Sequence, residues 1–508
     1  MNMKLPEYDV IIIGSGLSGL LCGYMLAKEG KQICILEKNK RFGGCLQSFK
    51  RYGQIFDTGV HYFGSMDPGQ TLHRYWKYFG LTDSLNLERM NPDGFDRIFI
   101  GEQEYPIAMG FDHFIEQLLP YFPREKDPLQ KYVRLLSEIT GAFPLYNLEL
   151  AENHSELHYR SECAFNFFQN LFPNHEGSAT GYNKSGARLA AVLAGNNFIF
   201  SGDPETTPVH IPALINHSYI SSAWRPVNGS EQIANHLVKK IRNFGGEILA
   251  SDEVRKIEIS NNNFSVHTGS SGLFTSKCLI SSLAPSKTLQ MLGPSLIRSS
   301  TTRRINSLKN TPSSFAVYLV LKQTRVKQVD YNCYIHKDEN VWNNDNLNEW
   351  PRNCMLFTPP DGSKEEFAKA MVIMTSMNYE EVRKWENTKS GNRGSDYLEF
   401  KERKADLLLK LAETKFPGLR SCISGMETST PLTWRDFTGT PDGSMYGIRK
   451  EYARPLETTI LPKTKIPDLF FTGQNTNLHG VLGVTIGAVM TCGEIVGLEM
   501  LLKKIRNG

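Results

Sequence analysis

Gly14, Gly16 and Gly19 stand where the apolar run "VIII" breaks into "GSGLSG", and Glu37 closes the next apolar run, "ICILE". Each glycine has a mechanical use. The first permits a tight turn out of a strand, the second lets backbone approach a pyrophosphate, and the third lets a helix pack close to the strand. A diphosphate placed there meets the unpaired N–H groups and the positive dipole end of the helix. Glu37 is then placed to accept hydrogen bonds from ribose hydroxyls, so the four positions together form a dinucleotide fingerprint.

The surrounding pattern supplies the elements that must position them. Tyr8 to Ile13 reads as a strand buried on both faces. Leu17, Leu20, Leu21, Tyr24 and Met25 recur at helical spacing as far as Lys28, Gly30 ends the helix, and Gln32 to Glu37 is a second buried strand. Further on, "NGSEQIANHLVKKIRNFGG" predicts a turn at Asn228–Gly229 and a helix from Glu231 to Asn243. Strands follow at Glu247 to Ala250 and Val254 to Ile259, then a hairpin leads into a strand ending at Ser282. Near the C-terminus, "LFFTGQNTNLHGVLGVTIGAVM" reads as strand, glycine-rich loop and long helix.

The choice of dinucleotide rests on two more glycine-rich stretches. Gly43 and Gly44 follow Glu37 closely, in "KNKRFGGCLQSF", and imply a second backbone approach to one extended cofactor. Gly473 to Gly480 precede a helix whose N-terminus would face a flavin or its ribityl-phosphate arm. No second G-x-G-x-x-G occurs, so a separate nicotinamide domain is not expected. A single FAD accounts for all three stretches. Its expected contacts are Gly14, Ser15, Gly16, Leu17, Ser18, Gly19, Glu37, Lys38, Gly43, Gly44, Cys45, Thr58, Gly59, Val254, Gly473, Gln474, His479, Gly480 and Val484.

Candidate catalytic groups lie in "FDTGVHYFG", where a turn at Asp57–Gly59 would carry His61 and Tyr62 to the flavin. Either could position substrate or relay a proton; the plainer alternative is a satisfied histidine and a packed tyrosine. Phe165, Phe167 and Phe168 would line an apolar tunnel or simply fill core. His73, His154, His158 and His175 have no metal-ligand spacing, and neither H-E-x-x-H nor G-x-S-x-G occurs. No metal site is expected. Flavin chemistry needs few protein acids, because the cofactor carries the reaction and the protein orients, polarises and excludes water.

The 508 residues are 40% hydrophobic and 22% charged, as in a soluble globular chain of two or three domains. A net charge of +4, evenly spread, argues against nucleic acid as a partner. Nine scattered cysteines without a C-x-x-C pair read as reduced core residues of a cytoplasmic chain. The first residues, "MNMKLPEYDV", lack a signal-peptide pattern, and no apolar run reaches the ~20 residues needed to span a bilayer.

The segment "EKNKRFGGCLQSFKRYGQIFDTGVHYFGSM" resembles the phytoene desaturase, carotenoid isomerase and retinol saturase branch of the FAD-dependent amine oxidase superfamily, the retinol saturase type above all. The likeness is strong over residues 8–70, recognisable over 224–290 and 465–500, and thin elsewhere. It implies noncovalent FAD and redox change at a carbon–carbon bond of an apolar polyene or isoprenoid, by saturation, desaturation or isomerisation. An electron donor or acceptor is implied but not identified. Two positions depart from the family: Asn228 replaces the first of two adjacent glycines, and Gln474 stands where many flavoproteins carry an acid. An amine oxidase of the same superfamily is the first alternative, and a flavin-free isoprenoid carrier, like the Rab GDP-dissociation inhibitors, the second.

The expected architecture is α/β: a discontinuous Rossmann-type FAD-binding domain from residues 1–75, 225–300 and 455–508, with an inserted α+β substrate domain from 76–224 and 301–454. The first insertion reads as mostly helical, the second as a sheet, with "NTKSGNRGSDYLEF" as a surface loop. A membrane-borne substrate would further require peripheral docking at a bilayer, through an apolar patch fringed by Lys or Arg, for instance in residues 76–224.

Overall fold

The computed structural model describes residues 7–150, 156–172, 184–270, 272–293, 296–322, 325–342, 349–363 and 365–508. His154 and His175 lie outside them. Strand β1 (Glu7–Ile13), helix α1 (Leu17–Lys28) and strand β2 (Ile33–Leu36) form the expected β-α-β unit. β1 and β2 pair in parallel, Val10 opposite Ile33, and on its other side β1 pairs in parallel with the Leu273–Ser281 strand. The sheet extends through Glu247–Leu249 beyond β2 and through Leu469–Phe471 beyond Leu273–Ser281, both parallel, and an antiparallel hairpin (Val254–Ser260, Asn263–Thr268) completes it.

Because β1 has neighbours on both sides reached by different connections, its C-terminal end opens a crevice where loops diverge. Gly14 sits at that end. Helix α1 is buried from Ser18 to Ala27 on every face, packed between the sheet, the Glu231–Asn243 helix and the Gly480–Val496 helix. Such closeness requires Gly19: a Cβ there would lie 2.0 Å from the Gly14 carbonyl oxygen. The C-terminal helix breaks at Gly497, which has φ +92°, and a second helix runs from Leu498 to Asn507.

A second sheet takes all its strands from residues 96–107 and 313–429, in the order Ile423–Ser429, Ser313–Leu321, Ala370–Met377, Asn353–Phe357, Asn332–His336, Asp96–Ile100 and Gln103–Ile107. The strands of residues 96–107 are a difference from the expectation of a mostly helical first insertion. Their alternation of buried and exposed residues is short, and the partner strand at Asn332–His336 is remote in sequence. Within "NTKSGNRGSDYLEF" only the first part is loop, since a helix runs from Ser395 to Glu413. Phe167 and Phe168 are buried, Phe168 and the half-buried Phe165 both pack on Trp342, and none of the three lines the cleft, so the aromatic stretch is packing rather than tunnel wall. All nine cysteines are free, and all but Cys45 are buried.

Asn228 answers its own departure from the family pattern. Its φ is +61°, and Gly229 follows at +97°. Asparagine tolerates this left-handed conformation better than other side-chain-bearing residues, so the tight turn survives the loss of a glycine. Beyond it, Asp57 ties the turn to the earlier hairpin. One oxygen of its half-buried carboxylate accepts from Ser230 N at 2.7 Å, and from Ser230 Oγ and Ser48 Oγ at 2.8 Å each. Burial pushes its pKa up to about 6, against the lowering effect of those bonds. Replacing Asp57 with Ala leaves Ser230 N and Ser48 Oγ without this acceptor, while Ser230 Oγ keeps Leu46 O at 3.1 Å. We expect a loss of roughly 2–4 kcal/mol in unfolding free energy, measured by urea titration; an unchanged midpoint would refute the anchoring role.

Candidate active site

A cleft of about 310 Å³ opens at the C-terminal end of β1 and runs to the second sheet. It brings together Gly14, Gly16, Leu17, Ser18, Glu37, Lys38, Gly43, Gly44, Cys45, Gly59, Val254, Gly473, Gln474, Gly480 and Val484, with His61 and Tyr62. Four expected contacts do not line it. Ser15 is fully buried behind the loop, its N–H and hydroxyl both donating to Glu37 Oε2, at 2.9 and 2.7 Å. Gly19 serves helix packing. Thr58 donates its hydroxyl to Gln47 O at 2.8 Å, bracing the Gly43–Gly44 loop against the next hairpin. His479 faces an adjoining apolar pocket of about 70 Å³ instead.

Glu37 is 5% exposed, and its Oε1 accepts from Asn39 N at 2.8 Å. It is therefore held rigidly, with one edge toward the cleft. Gly16 behaves differently from Gly19: no atom lies within 4 Å of where its Cβ would be. Gly480 has the same open space. Both glycines mark the N-termini of long helices, α1 and Gly480–Val496, and neither helix has a side chain capping its free N–H groups. Lys450 Nζ, buried, donates to Thr458 O, Asn475 O and Thr476 O and so fixes the C-terminal glycine loop. Desolvation pulls its pKa down to about 7.

Toward the second sheet the wall turns apolar and aromatic, with Met355, Met374, Trp434, Tyr219 and Tyr446. His61 packs against Phe357 with the ring centroids 4.7 Å apart and the planes tilted by 43°, and both its ring nitrogens are buried without a hydrogen-bond partner. Burial lowers its pKa to about 4, so the imidazole is neutral at physiological pH. Tyr62 is 5% exposed; its hydroxyl lies 3.0 Å from Asp96 Oδ2 and 2.6 Å from Tyr334 Oη. His479 packs at a tilt on Tyr446, ring centroids 4.8 Å apart, and burial and the nearby Lys450 lower its pKa to about 3. Motif reading does not find Asp96, Tyr219, Tyr334 and Tyr446, because no local pattern links them: Tyr219, on the His210–Ser221 helix, and Tyr446 line the cleft, while Asp96 and Tyr334, from two remote strands paired in parallel, stand behind Tyr62.

The residues present fit an extended flavin dinucleotide. Two uncapped helix ends face the cleft, two glycines leave room where side chains would intrude, and His61 offers unpartnered nitrogens to whatever lies beside it. Residues 17–494 match the model of the flavin containing amine oxidoreductases. The chain belongs to that family. It is an FAD-dependent oxidoreductase.

An all-trans-retinol 13,14-reductase of Danio rerio is 26% identical over 555 residues, covering 99% of this chain and 90% of that one. Prolycopene isomerase 1, chloroplastic, of an Oncidium hybrid cultivar is 24% identical over 523 residues, covering 99% and 86%. Among solved structures, cyclohexylamine oxidase from Brevibacterium oxydans shares the fold, with a TM-score of 0.62 at 14% identity over 98% of this chain and 100% of that one. Among the described residues no group of His, Cys, Asp and Glu could hold a metal ion. No described helix is long and apolar enough to cross a membrane.

Proposed function

We propose that this flavoprotein saturates a carbon–carbon double bond of an apolar polyene or isoprenoid. The observation that carries the reading is the character of the cleft wall facing the second sheet: it is built of Met, Trp, Tyr, Phe and Ile, and among the described residues the only carboxylates lining the cleft are Glu37 and Glu253. An elongated hydrocarbon suits such a wall, whereas a cationic amine finds no acid there. Similarity to retinol reductases along nearly the whole chain supports the same substrate class.

In this reading the first sheet and its helices, from residues 1–75, 225–300 and 455–508, hold the cofactor, and residues 76–224 and 301–454 hold the substrate. The Gly14–Gly19 loop and the α1 N-terminus bind the diphosphate, with Glu37 on the ribose and Val254 beside it. Lys38, Gly43, Gly44, Cys45, Gly59, Gly473, Gln474, Gly480 and Val484 contact the remainder. Ser15, Gly19, Thr58 and His479 act from behind the wall. Reduced, the cofactor supplies hydride, two electrons and one hydrogen, so the second hydrogen must reach the substrate as a proton. His61, neutral and against Phe357, packs on the reacting face and excludes water.

An external reductant delivers the electrons. A bilayer-borne substrate would reach the cleft from a cytoplasmic protein docked at the membrane surface. Leu456 and Leu461, 71% and 64% exposed, suit such docking better than residues 76–224, where the described large apolar side chains are less exposed.

The test is an absorbance spectrum before and after anaerobic dithionite, followed by all-trans-retinol as probe. Flavin bands that bleach and then return with formation of a dihydro product are expected. Bleaching of the oxidised flavin by amines, with reoxidation by oxygen but not by retinol, would favour the amine oxidase alternative. A double-bond isomer formed without net reoxidation would favour isomerisation, the chemistry for which the Oncidium relative is named.

A further inference from the structure

Asp96 opens the first strand of the second sheet's edge pair and lies in register with Asn332 of the neighbouring parallel strand. It is 1% exposed. Asn332 Nδ2 donates to its Oδ1 at 2.9 Å, and Tyr62 Oη approaches its Oδ2 at 3.0 Å. No Lys, Arg or His forms an ion pair with it among the described residues. The titratable groups that face it are Tyr62, Tyr219, Tyr334 and Cys333, all neutral at physiological pH. An amide would satisfy the same two neighbours without the expense of burying a charge. A carboxyl here is therefore in want of a use.

Burial pushes Asp96 up to about 7, so it holds a proton near neutrality. Tyr62 alone could not serve as an acid through many turnovers: burial and the neighbouring acid raise it well above its ordinary range, and a phenolate there must be reprotonated at once. Tyr219 lies on the same wall but donates its hydroxyl to Tyr62 O at 3.2 Å, and the low pKa of His61 leaves it a weak candidate for proton delivery.

We propose that Tyr62 is the proton donor for the saturated carbon and that Asp96, acting through the Tyr62 hydroxyl, positions and stores the proton. The inference rests on the saturation reading above. Bound and reduced, the flavin would supply hydride to one carbon of the double bond; the part of this chain is the proton, with which the displaced π pair would form the second C–H bond at the expense of the Tyr62 O–H. The Tyr62 O–H bond breaks as the Asp96 O–H proton passes to Tyr62 Oη. Asp96 is left as carboxylate and regains its proton from water between turnovers. Tyr334, 2.6 Å from Tyr62 Oη, holds the phenol oxygen in place as its hydrogen bonds reverse.

The first measurement needs neither cofactor nor substrate. The infrared C=O band of a protonated carboxyl is followed from about pH 4 to about pH 9 in the purified protein. The difference between wild type and Asp96→Asn should show one component that fades with a midpoint near 7, whereas Asp57, fading near 6, is common to both proteins and cancels. A difference that lacks this component, Asp96 being ionised throughout, or one with a midpoint near the ordinary carboxylate value overturns the proton store. The second is single-turnover reduction of all-trans-retinol by the dithionite-reduced holoenzyme. Tyr62→Phe should slow it about 100-fold or more while leaving the flavin spectrum unchanged. The wild-type rate should fall as pH rises through 7, the limb should vanish in Asp96→Asn, and Asp96→Glu should restore it. A Tyr62→Phe rate within about threefold of wild type, or a limb that survives in Asp96→Asn, overturns the assignment. A holoenzyme that leaves retinol unreduced overturns the saturation reading and the donor with it, while the infrared band still decides the state of Asp96.

Discussion

Gly16→Ala is expected to give a folded protein that has lost most of its affinity for FAD, and Gly19→Ala a protein that barely folds. The two glycines are neighbours in one motif, yet their surroundings differ. At Gly19 an added methyl would lie 2.0 Å from the Gly14 carbonyl oxygen and 3.2 Å from its carbon. Those are backbone atoms at the end of a buried central strand, so neither helix nor strand can yield cheaply. Overpacking of well-filled cores already costs about 1–3 kcal/mol, and a backbone clash this deep belongs at or above the top of that range. At Gly16 the same methyl meets no protein atom within 4 Å, and the backbone has φ −62°, which any residue adopts. Apoprotein stability should therefore stay within about 0.5 kcal/mol of wild type. The methyl occupies space that the diphosphate would fill. An affinity loss of about 10- to 100-fold follows from the same overpacking cost when it falls on the ligand. Thermal melts of the apoproteins and flavin titrations measure the two effects separately. Equal destabilisation by both substitutions would overturn this division of labour.

The glycine loop was legible because each of its constraints is local. A strand, a turn, a helix and an acid occur within one stretch of chain, and hydrophobic periodicity places them almost to the residue: α1 spans Leu17–Lys28 and the later helix Glu231–Asn243, as the pattern predicts. The same argument failed for the wall opposite. Asp96 and Asn332 are far apart in sequence and adjacent only because two short strands pair in parallel. Tyr62 was visible as a residue worth watching, but nothing near it in sequence names its partner. Asp57 is a similar case. Its motif suggested a turn bringing His61 to the flavin, whereas its carboxylate anchors Ser230, in a different part of the chain. Phe167 and Phe168 mark the opposite limit, since an aromatic run looks the same in sequence whether it lines a tunnel or fills a core.

Asp96→Asn should make the folded state less sensitive to rising pH. The carboxyl is raised from 3.8 to about 7 by burial. Between those values the unfolded chain has released this proton and the folded chain keeps it, so folding stability declines as pH increases. The decline begins above the unfolded value and ends once pH passes the folded value; in full it amounts to roughly 4 kcal/mol at 1.36 kcal/mol per pH unit. From pH 5 to pH 8 the part belonging to Asp96 is about 3 kcal/mol. The absolute curve will not display it cleanly. Asp57, raised to about 6, declines in the same direction over a lower window. His61, His217 and His336, each lowered to about 4 by burial, act oppositely: the unfolded chain takes up their protons first, so stability grows as pH rises toward 6.5. The difference between wild type and Asp96→Asn cancels these shared contributions. Asparagine can still accept from Asn332 and donate to the Tyr62 oxygen, so the two proteins should be close in stability only below about pH 4, and the gap should widen by about 3 kcal/mol between pH 5 and pH 8, the variant being the more stable. Urea titrations at the two pH values measure this, and parallel curves would mean that the buried carboxyl is already ionised at pH 5.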